Sequence, residues 1–378
     1  MNTLNVASTL ALAEWVSPGH PDRLADGIAE AIVDRMVRLD PEAAVGVEVA
    51  VHDDQVFVTG TIAAGSVTPA LDLADVCAQV YRSAGYGDRW APAPEALRIT
   101  DAVRRSPLTD GLREVRSHSE DQNVVVGYAN ALAGTNHLPV AHWLAAQLGA
   151  ALTDWRRNDA ERFGPDFKIL PRLLLEERPG ACPRVQWDRL TLSLQHAEGV
   201  SRHDTYAAVV PVVRSVLERA QALGLEGVSD SFTASHLMLN GAGDFTLGGP
   251  LGDNGLSGKK LVIDHYGPSV PIGGGALCGK DPHKVDRAGA IRARQLAKSL
   301  VRQGAPEARV TVSWSPGESE PSSITLDCGP RIDLAATPVA PDWFSIPRIV
   351  RELELVGVDW LDTMRQGYLQ SPAAAWER

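Results

Sequence analysis

Two stretches of the chain set closely spaced glycines beside lysines: Gly248-Gly249-Pro250-Leu251-Gly252-Asp253-Asn254-Gly255-Leu256-Ser257-Gly258-Lys259-Lys260, and Gly273-Gly274-Gly275-Ala276-Leu277-Cys278-Gly279-Lys280-Asp281-Pro282-His283-Lys284-Val285-Asp286-Arg287. Glycine lets backbone N–H groups approach an anion, and lysine supplies point charges to phosphate oxygens. The pair therefore reads as a polyphosphate cradle, with two glycine-rich surface turns and solvated lysines as the plainer alternative. Gly274 to Lys280 also fits the GxxxxGK pattern of a P-loop. That fit is incomplete: Asp281 follows the lysine where Ser or Thr would hold magnesium, and Pro268 to Pro271 precede the glycines where a strand is needed. His20-Pro21-Asp22 opens a predicted helix, where free N–H groups and the helix dipole favour a negative ligand. Asp22 and Asp286 could hold magnesium on such a ligand, since hard cations take carboxylate and phosphate oxygens together. Taken singly, each is also an ordinary cap or surface acid.

These residues need elements to place them. Leu24, Ile28, Ile32, Met36 and Leu39 recur on one face of a helix over 21–39, which Pro21 opens with His20 at its cap. Val45, Val47, Val49 and Val51 alternate with smaller or polar residues, and the turn at His52-Asp53-Asp54 leads into Gln55 to Val58, a β-hairpin with Glu48 off its core face. A helix is expected over 69–84, then a polar loop from Arg104 to Asp121. The pattern recurs with a helix over 139–155, a strand over 185–195 and a helix over 204–223. A third round has a glycine-rich region over 240–279, a helix over 283–303, strands over 309–314 and 323–327, and a terminal helix near 346–356. Hairpins and helices in three successive blocks favour α+β layers over a doubly wound sheet.

Composition narrows the partners. A formal charge of −11 opposes a general nucleic-acid or membrane-surface binder, because both want a basic face. An anionic ligand must then meet a local cluster of cations. Cys77, Cys182, Cys278 and Cys328 are far apart, with no metal-type pairing, and read as reduced thiols. The opening Met1 to Trp15 has neither a basic lead nor a long apolar run, so no signal peptide or membrane span is expected and the location reads as cytoplasmic.

The motifs occur together, and in order, as in the S-adenosylmethionine synthetases, which the chain resembles. The matching stretches are Glu14 through Asp26, Glu48, Asp121-Gln122 with Gly127-Tyr128-Ala129, Asp166-Phe167-Lys168, Gln195-His196, Gly248 through Tyr266 and Gly273 through Arg287. The resemblance implies an α+β fold of three similar sheet-plus-helix domains around a pseudo-threefold axis, here over 1–107, 119–243 and 244–378. It implies active sites at the interface of a homodimer or homotetramer. It implies that a thioether sulfur attacks C5′ of ATP and displaces tripolyphosphate, which is then hydrolysed. Carried over by position, His20 would sit beside the breaking C5′–O bond, and Lys168, Lys259, Lys260, Lys280 and Lys284 would hold the triphosphate. Asp121 and Phe245 would seat the nucleoside, with Asp253 reaching both nucleotide and acceptor. Asp22 and Asp286 would bind Mg2+, and Glu48 matches a K+-site glutamate.

Departures from the family's pattern gather where the amino-acid acceptor would lie. The glutamate expected to meet its ammonium is Thr61, the glutamine ahead of Ser-Pro is Arg105, and an isoleucine along its side chain is Pro316. Lys284 completes the expected acceptor contacts. The loop between Ser106-Pro107 and Asp121-Gln122 is shorter by several residues; Arg23 stands for a lysine, Asp244 for an arginine and Ile272 for a histidine. Two readings follow: a specialised enzyme for a methionine analogue or another sulfur compound, or methionine held by other residues. A third is an ATP or tripolyphosphate hydrolase, or a regulatory subunit, without transfer.

Overall fold

The computed structural model describes residues 8–67, 70–87, 89–176, 178, 183–329 and 339–378. Two short strands, β1 (Ser8–Leu12) and β2 (Trp15–Val16), lead into helix α1 (Pro21–Leu39). His20 caps that helix in extended conformation, and the N–H of Asp22 donates to its Nδ1 at 3.1 Å. Pro21 stands at the first helical position, where a missing N–H costs nothing. Leu24, Ile28, Ile32 and Met36 are buried as their spacing requires, but Leu39 at the last position is exposed, and Asp22, Arg23, Asp26, Glu30 and Asp34 are buried as well. Up to its last turn the helix is thus enclosed, with its acids matched by cations or backbone N–H groups.

The hairpin of β3 (Ala44–His52) and β4 (Gln55–Ala63) turns at Asp53, whose φ is 50°. Helix α2 (Leu73–Ala84), capped by Asp72 and ended by Gly85 at φ 106°, carries the chain back to β5 (Arg98–Ser106), parallel to β4. Cap chemistry sets the start at Leu73 and not at 69; Thr68 and Pro69 lie outside the described residues. The stretch expected as a loop holds the end of β5 and a short helix α3 (Asp110–Val115), ahead of β6 (Asn123–Asn130). Then come α4 (Val140–Arg157), β7 (Phe163–Glu176), β8 (Arg184–His196), α5 (Arg202–Ala222), β9 (Leu237–Leu239), β10 (Gly255–Leu256) and α6 (Leu261–Asp264). The chain closes with α7 (Val285–Arg302), β11 (Glu307–Trp314), β12 (Ser323–Asp327), α8 (Ile346–Glu352) and α9 (Trp360–Gln366).

The strands form three sheets: β10-β3-β4-β5, β1-β7-β8-β9 with β2 also on β7, and β12-β11-β6. Helix α1 packs on β3, α4 on β7, and α7 on β6 and β11, so each sheet has its own helix and the fold is α+β as expected. The sheets exchange edge strands between distant stretches. β1 and β2 pair with β7, β6 pairs with β11, and β10 pairs with β3. Among the described residues the far face of the first sheet carries no helix: Phe57 and Leu256 remain 43% and 45% exposed there. Cys77, Cys278 and Cys328 are buried free thiols, whereas Cys182 and Met1 to Ala7 lie outside the described residues. Among the described residues no helix is long and apolar enough to cross a membrane.

Candidate active site

One group of site residues gathers at the start of α1. Asp22 is buried and accepts from Lys260 Nζ at 2.7 Å and from the Leu256 N–H at 3.0 Å, with Lys259 Nζ 3.7 Å away. Burial alone would raise its pKa, but the bonds from Lys260 and Leu256 hold it below the ordinary value. Burial and then the charge of Lys168 push His20 down to about 3. The imidazole is therefore neutral, and because Nδ1 accepts the Asp22 N–H, its proton sits on Nε2. Lys168 lies on β7 opposite Val16 and Ser193. Two residues earlier Asp166, whose Oδ2 accepts the Gly249 N–H at 2.8 Å, is raised by burial to about 6, and its Oδ1 is buried without a partner. No role is assigned to Asp166 from sequence, although an acid in the apolar run after Pro165 is a usable signal.

The glycine loop before Lys259 differs from the expected cradle in one respect. Its N–H groups are already engaged: Gly249 donates to Asp166, Leu256 to Asp22 and Gly258 to Asp26. Gly249, at φ 63°, also packs so closely on Tyr86 that a Cβ would lie 2.0 Å from the hydroxyl. The loop thus binds the protein's own buried carboxylates, and the cationic surface comes from the lysine side chains, which themselves lie against Asp22. Phe245 is half-buried nearby; its N–H donates to His196 Nε2 at 3.1 Å. Asp253 is exposed, its Oδ1 accepting the Asn254 N–H, and Asp244 is exposed as well. Arg23 is buried between Asp26 and Asp264, at 3.0 and 2.6 Å, and so performs a structural task.

A second group surrounds the start of α7. Lys280 pairs with Asp286 at 2.6 Å, and Lys284, which caps α7, pairs with Glu120. Gly275 comes so near that a Cβ would sit 1.8 Å from Asp286 Oδ1. Two adjoining cavities of about 320 and 400 Å³ share Glu48, Asn123, Lys280 and Asp286; the first also has Gly46, Asp121 and Lys284, the second Ser257 and Gly274. Glu48 Oε2 accepts from Ser257 Oγ at 2.6 Å. Asn123 Oδ1 is buried without a partner. No strand precedes Gly274, as the incomplete P-loop match anticipates. Among the described residues no hydrogen bond or ion pair joins a side chain of the Lys280 group to one of the His20 group.

The strap over the first cavity is tied down. Arg116 bonds Asp281 at 3.0 Å and reaches His283, with both Arg116 and Asp281 buried. Despite burial, the His283 and Arg116 contacts lower the Asp281 pKa to about 2. Ser119 exchanges backbone bonds with the turn holding Pro316: the Ser119 N–H donates to Glu318 O, and the Gly317 N–H donates to Ser119 O. Pro316 is exposed in that turn. Thr61 lies on β4 opposite Gly46, on the sheet's uncovered face. Arg105 does not join it. Along β5 side chains alternate, and Arg105 shares the Val103 face, where its guanidinium pairs with Asp101 at 2.7 Å. Arg104 is the residue in register with Thr61.

Comparison with known proteins bears on these groups. Residues 8–104 match the family model for the S-adenosylmethionine synthetase N-terminal domain, and 247–378 the model for its C-terminal domain. The S-adenosylmethionine synthases of Methylorubrum populi and Paramagnetospirillum magneticum are each 32% identical, over 84% of this chain and 80% of theirs. An unusual S-adenosylmethionine synthetase from Campylobacter jejuni superposes with a TM-score of 0.83 at 24% identity, covering 98% of this chain and 96% of that one.

Proposed function

The chain belongs to the S-adenosylmethionine synthetase family of transferases, and from that premise we propose that it joins the adenosyl group of ATP to a thioether sulfur. A lone pair on sulfur forms the bond to C5′, the C5′–O bond breaks, and its electron pair leaves with the triphosphate, which water then splits into phosphate and pyrophosphate. Displacement at carbon needs no general base, so catalysis lies in alignment and in stabilising the charge that grows on the leaving oxygen. The observation that carries this reading is the neutral His20, its Nε2–H available amid Lys168, Lys259 and Lys260. The Nε2–H can donate a hydrogen bond to the departing oxygen while the proton stays on the ring.

Lys280 and Lys284 serve the far end of the triphosphate, Phe245 and Asp121 the nucleoside, and Asp253 both nucleotide and acceptor. Each site takes one lysine group from each of two chains, in line with the lack of any side-chain hydrogen bond or ion pair between the two groups among the described residues. The part of the uncovered face around Phe57 and Leu256, four residues along β4 from Thr61, offers the surface for that homodimer or homotetramer. Asp22 and Asp286 suit Mg2+ only in company with phosphate: no set of three or more His, Cys, Asp or Glu side chains that could hold an ion occurs among the described residues. Each would give one carboxylate oxygen, exchanging a lysine contact for the ion. Mg2+ would neutralise charge on the departing chain. Glu48, with Ser257 Oγ, would hold K+ at the cavity rim. The segments 1–107, 119–243 and 244–378 are the proposed domains, except that β1 and β2 join the second sheet, β6 the third and β10 the first.

The acceptor is methionine or a close analogue; the uncharged Thr61 favours an analogue without the ammonium. The test is to incubate the protein with ATP, Mg2+ and K+ and a panel of thioethers and thiols, followed by mass spectrometry. A product carrying an added adenosyl group supports the reading. Phosphate release with no adenosylated product from any acceptor would overturn it in favour of hydrolysis.

A further inference from the structure

The sheet pairing lines up four residues across the uncovered face beside the first cavity. Lys280 forms an isolated antiparallel bridge with Gly46, Gly46 pairs with Thr61, and Thr61 pairs with Arg104. Residues directly opposed in a sheet send their side chains to the same face, so one row reads Lys280, Gly46, Thr61, Arg104. With strands about 4.8 Å apart, the row spans about 14 Å between its two cationic ends. A Cβ built on Gly46 would meet nothing within 4 Å, so the middle of the row is open. Lys280 is already paired with Asp286. Arg104 is exposed and, among the described residues, makes no hydrogen bond or ion pair.

We infer that Arg104 determines acceptor specificity: it binds an anionic group of the acceptor, which is a thioether carboxylic acid without a neighbouring ammonium. This rests on the adenosyl-transfer reading and adds the acceptor's charge. A guanidinium in register with Thr61 repels an ammonium where Thr61 has no carboxylate to hold it, and it takes a carboxylate in two parallel bonds. The neighbouring Arg105 cannot substitute, because the strand turns it to the core face against Asp101.

The experiment measures KM and kcat with ATP and three acceptors: methionine, 4-(methylthio)butanoate, which lacks the ammonium, and 3-(methylthio)propylamine, which lacks the carboxylate. The wild type is expected to prefer the butanoate. Arg104→Ala should raise the KM for the butanoate by about tenfold or more, with a smaller change in kcat, as expected for loss of a charge-assisted bond. That rise should exceed the one caused by Arg105→Ala. Arg104→Lys should recover part of it, and Arg104→Glu should move the preference toward the amine. A wild type that prefers methionine, an unaltered butanoate KM in Arg104→Ala, or a larger effect at Arg105 would overturn the inference while adenosyl transfer stands. Absence of adenosyl product with all three, and with the wider thioether and thiol panel, would instead mark failure of the transfer reading itself.

Discussion

Removing the imidazole of His20 should make the protein less sensitive to acid. In the folded chain burial, and then Lys168, bring its pKa from 6.5 to about 3, so between those values the unfolded chain binds a proton that the native one refuses. Stability therefore rises with pH through this window: the penalty is absent well above 6.5, grows as pH falls, and is complete below about 3. At pH 5 the unfolded His20 lies about 1.5 pH units below its pKa, which costs about 2 kcal/mol at 1.36 kcal/mol per unit. His20→Asn keeps a helix-capping oxygen for the Asp22 N–H and removes the titration. Urea denaturation of both proteins at pH 7.5 and pH 5.0 isolates the effect, because other acids, among them Glu30 and Asp26, raised by burial to about 7 and 6, are common to both. Wild type should lose about 2 kcal/mol more than His20→Asn on that change. Equal losses would mean that His20 titrates normally and that its neutral, Nε2-protonated form is not built into the fold.

Lys280→Ala should lower kcat about 10²-fold at saturating ATP, by analogy with removal of one electrostatic donor to a developing anion, measured from initial rates of adenosyl product. Arg116→Ala leaves the buried Asp281 carboxylate short of its cation and should cost about 3 kcal/mol, read from urea midpoints. Gly60→Ala would place a Cβ 2.1 Å from Gly46 O at φ 119°, and circular dichroism should show loss of cooperative melting near physiological temperature. Glu377, buried between Arg294 and Lys298, ties its segment to α7, so Glu377→Gln should lower the thermal midpoint by several degrees.

Much of the fold is legible in the sequence. The α1 stripe, the β3-β4 hairpin and the α7 helix follow from periodicity and caps, which are local. What escaped was non-local or contradicted by local chemistry. β7 contains Pro165 and Pro171, which argue against a strand, and its register shifts beside both stretches absorb them. β5 ends in a polar stretch that reads as a loop because its pairing to β4 is parallel, made only after a helical crossover. The two lysine groups are legible as motifs, but no spacing reveals that one pairs with Asp22 at the start of α1 and the other with Glu120 and Asp286 around the start of α7. Arg105 was singled out by its place before Ser106-Pro107, whereas strand alternation makes Arg104 the residue beside Thr61. The glycine loop reads as a polyphosphate cradle; that its N–H groups instead serve Asp22, Asp26 and Asp166 depends on tertiary packing.

The central claim concerns which bond of ATP breaks. ATP carrying ¹⁸O in the bridge between C5′ and the α-phosphorus, turned over with the preferred acceptor, tests it by mass spectrometry of both products. Attack of sulfur on C5′ puts the label wholly in the phosphate and pyrophosphate and leaves the adenosyl sulfonium unlabelled. Label retained in AMP, ADP or adenosine would show cleavage at phosphorus and contradict adenosyl transfer by this chain.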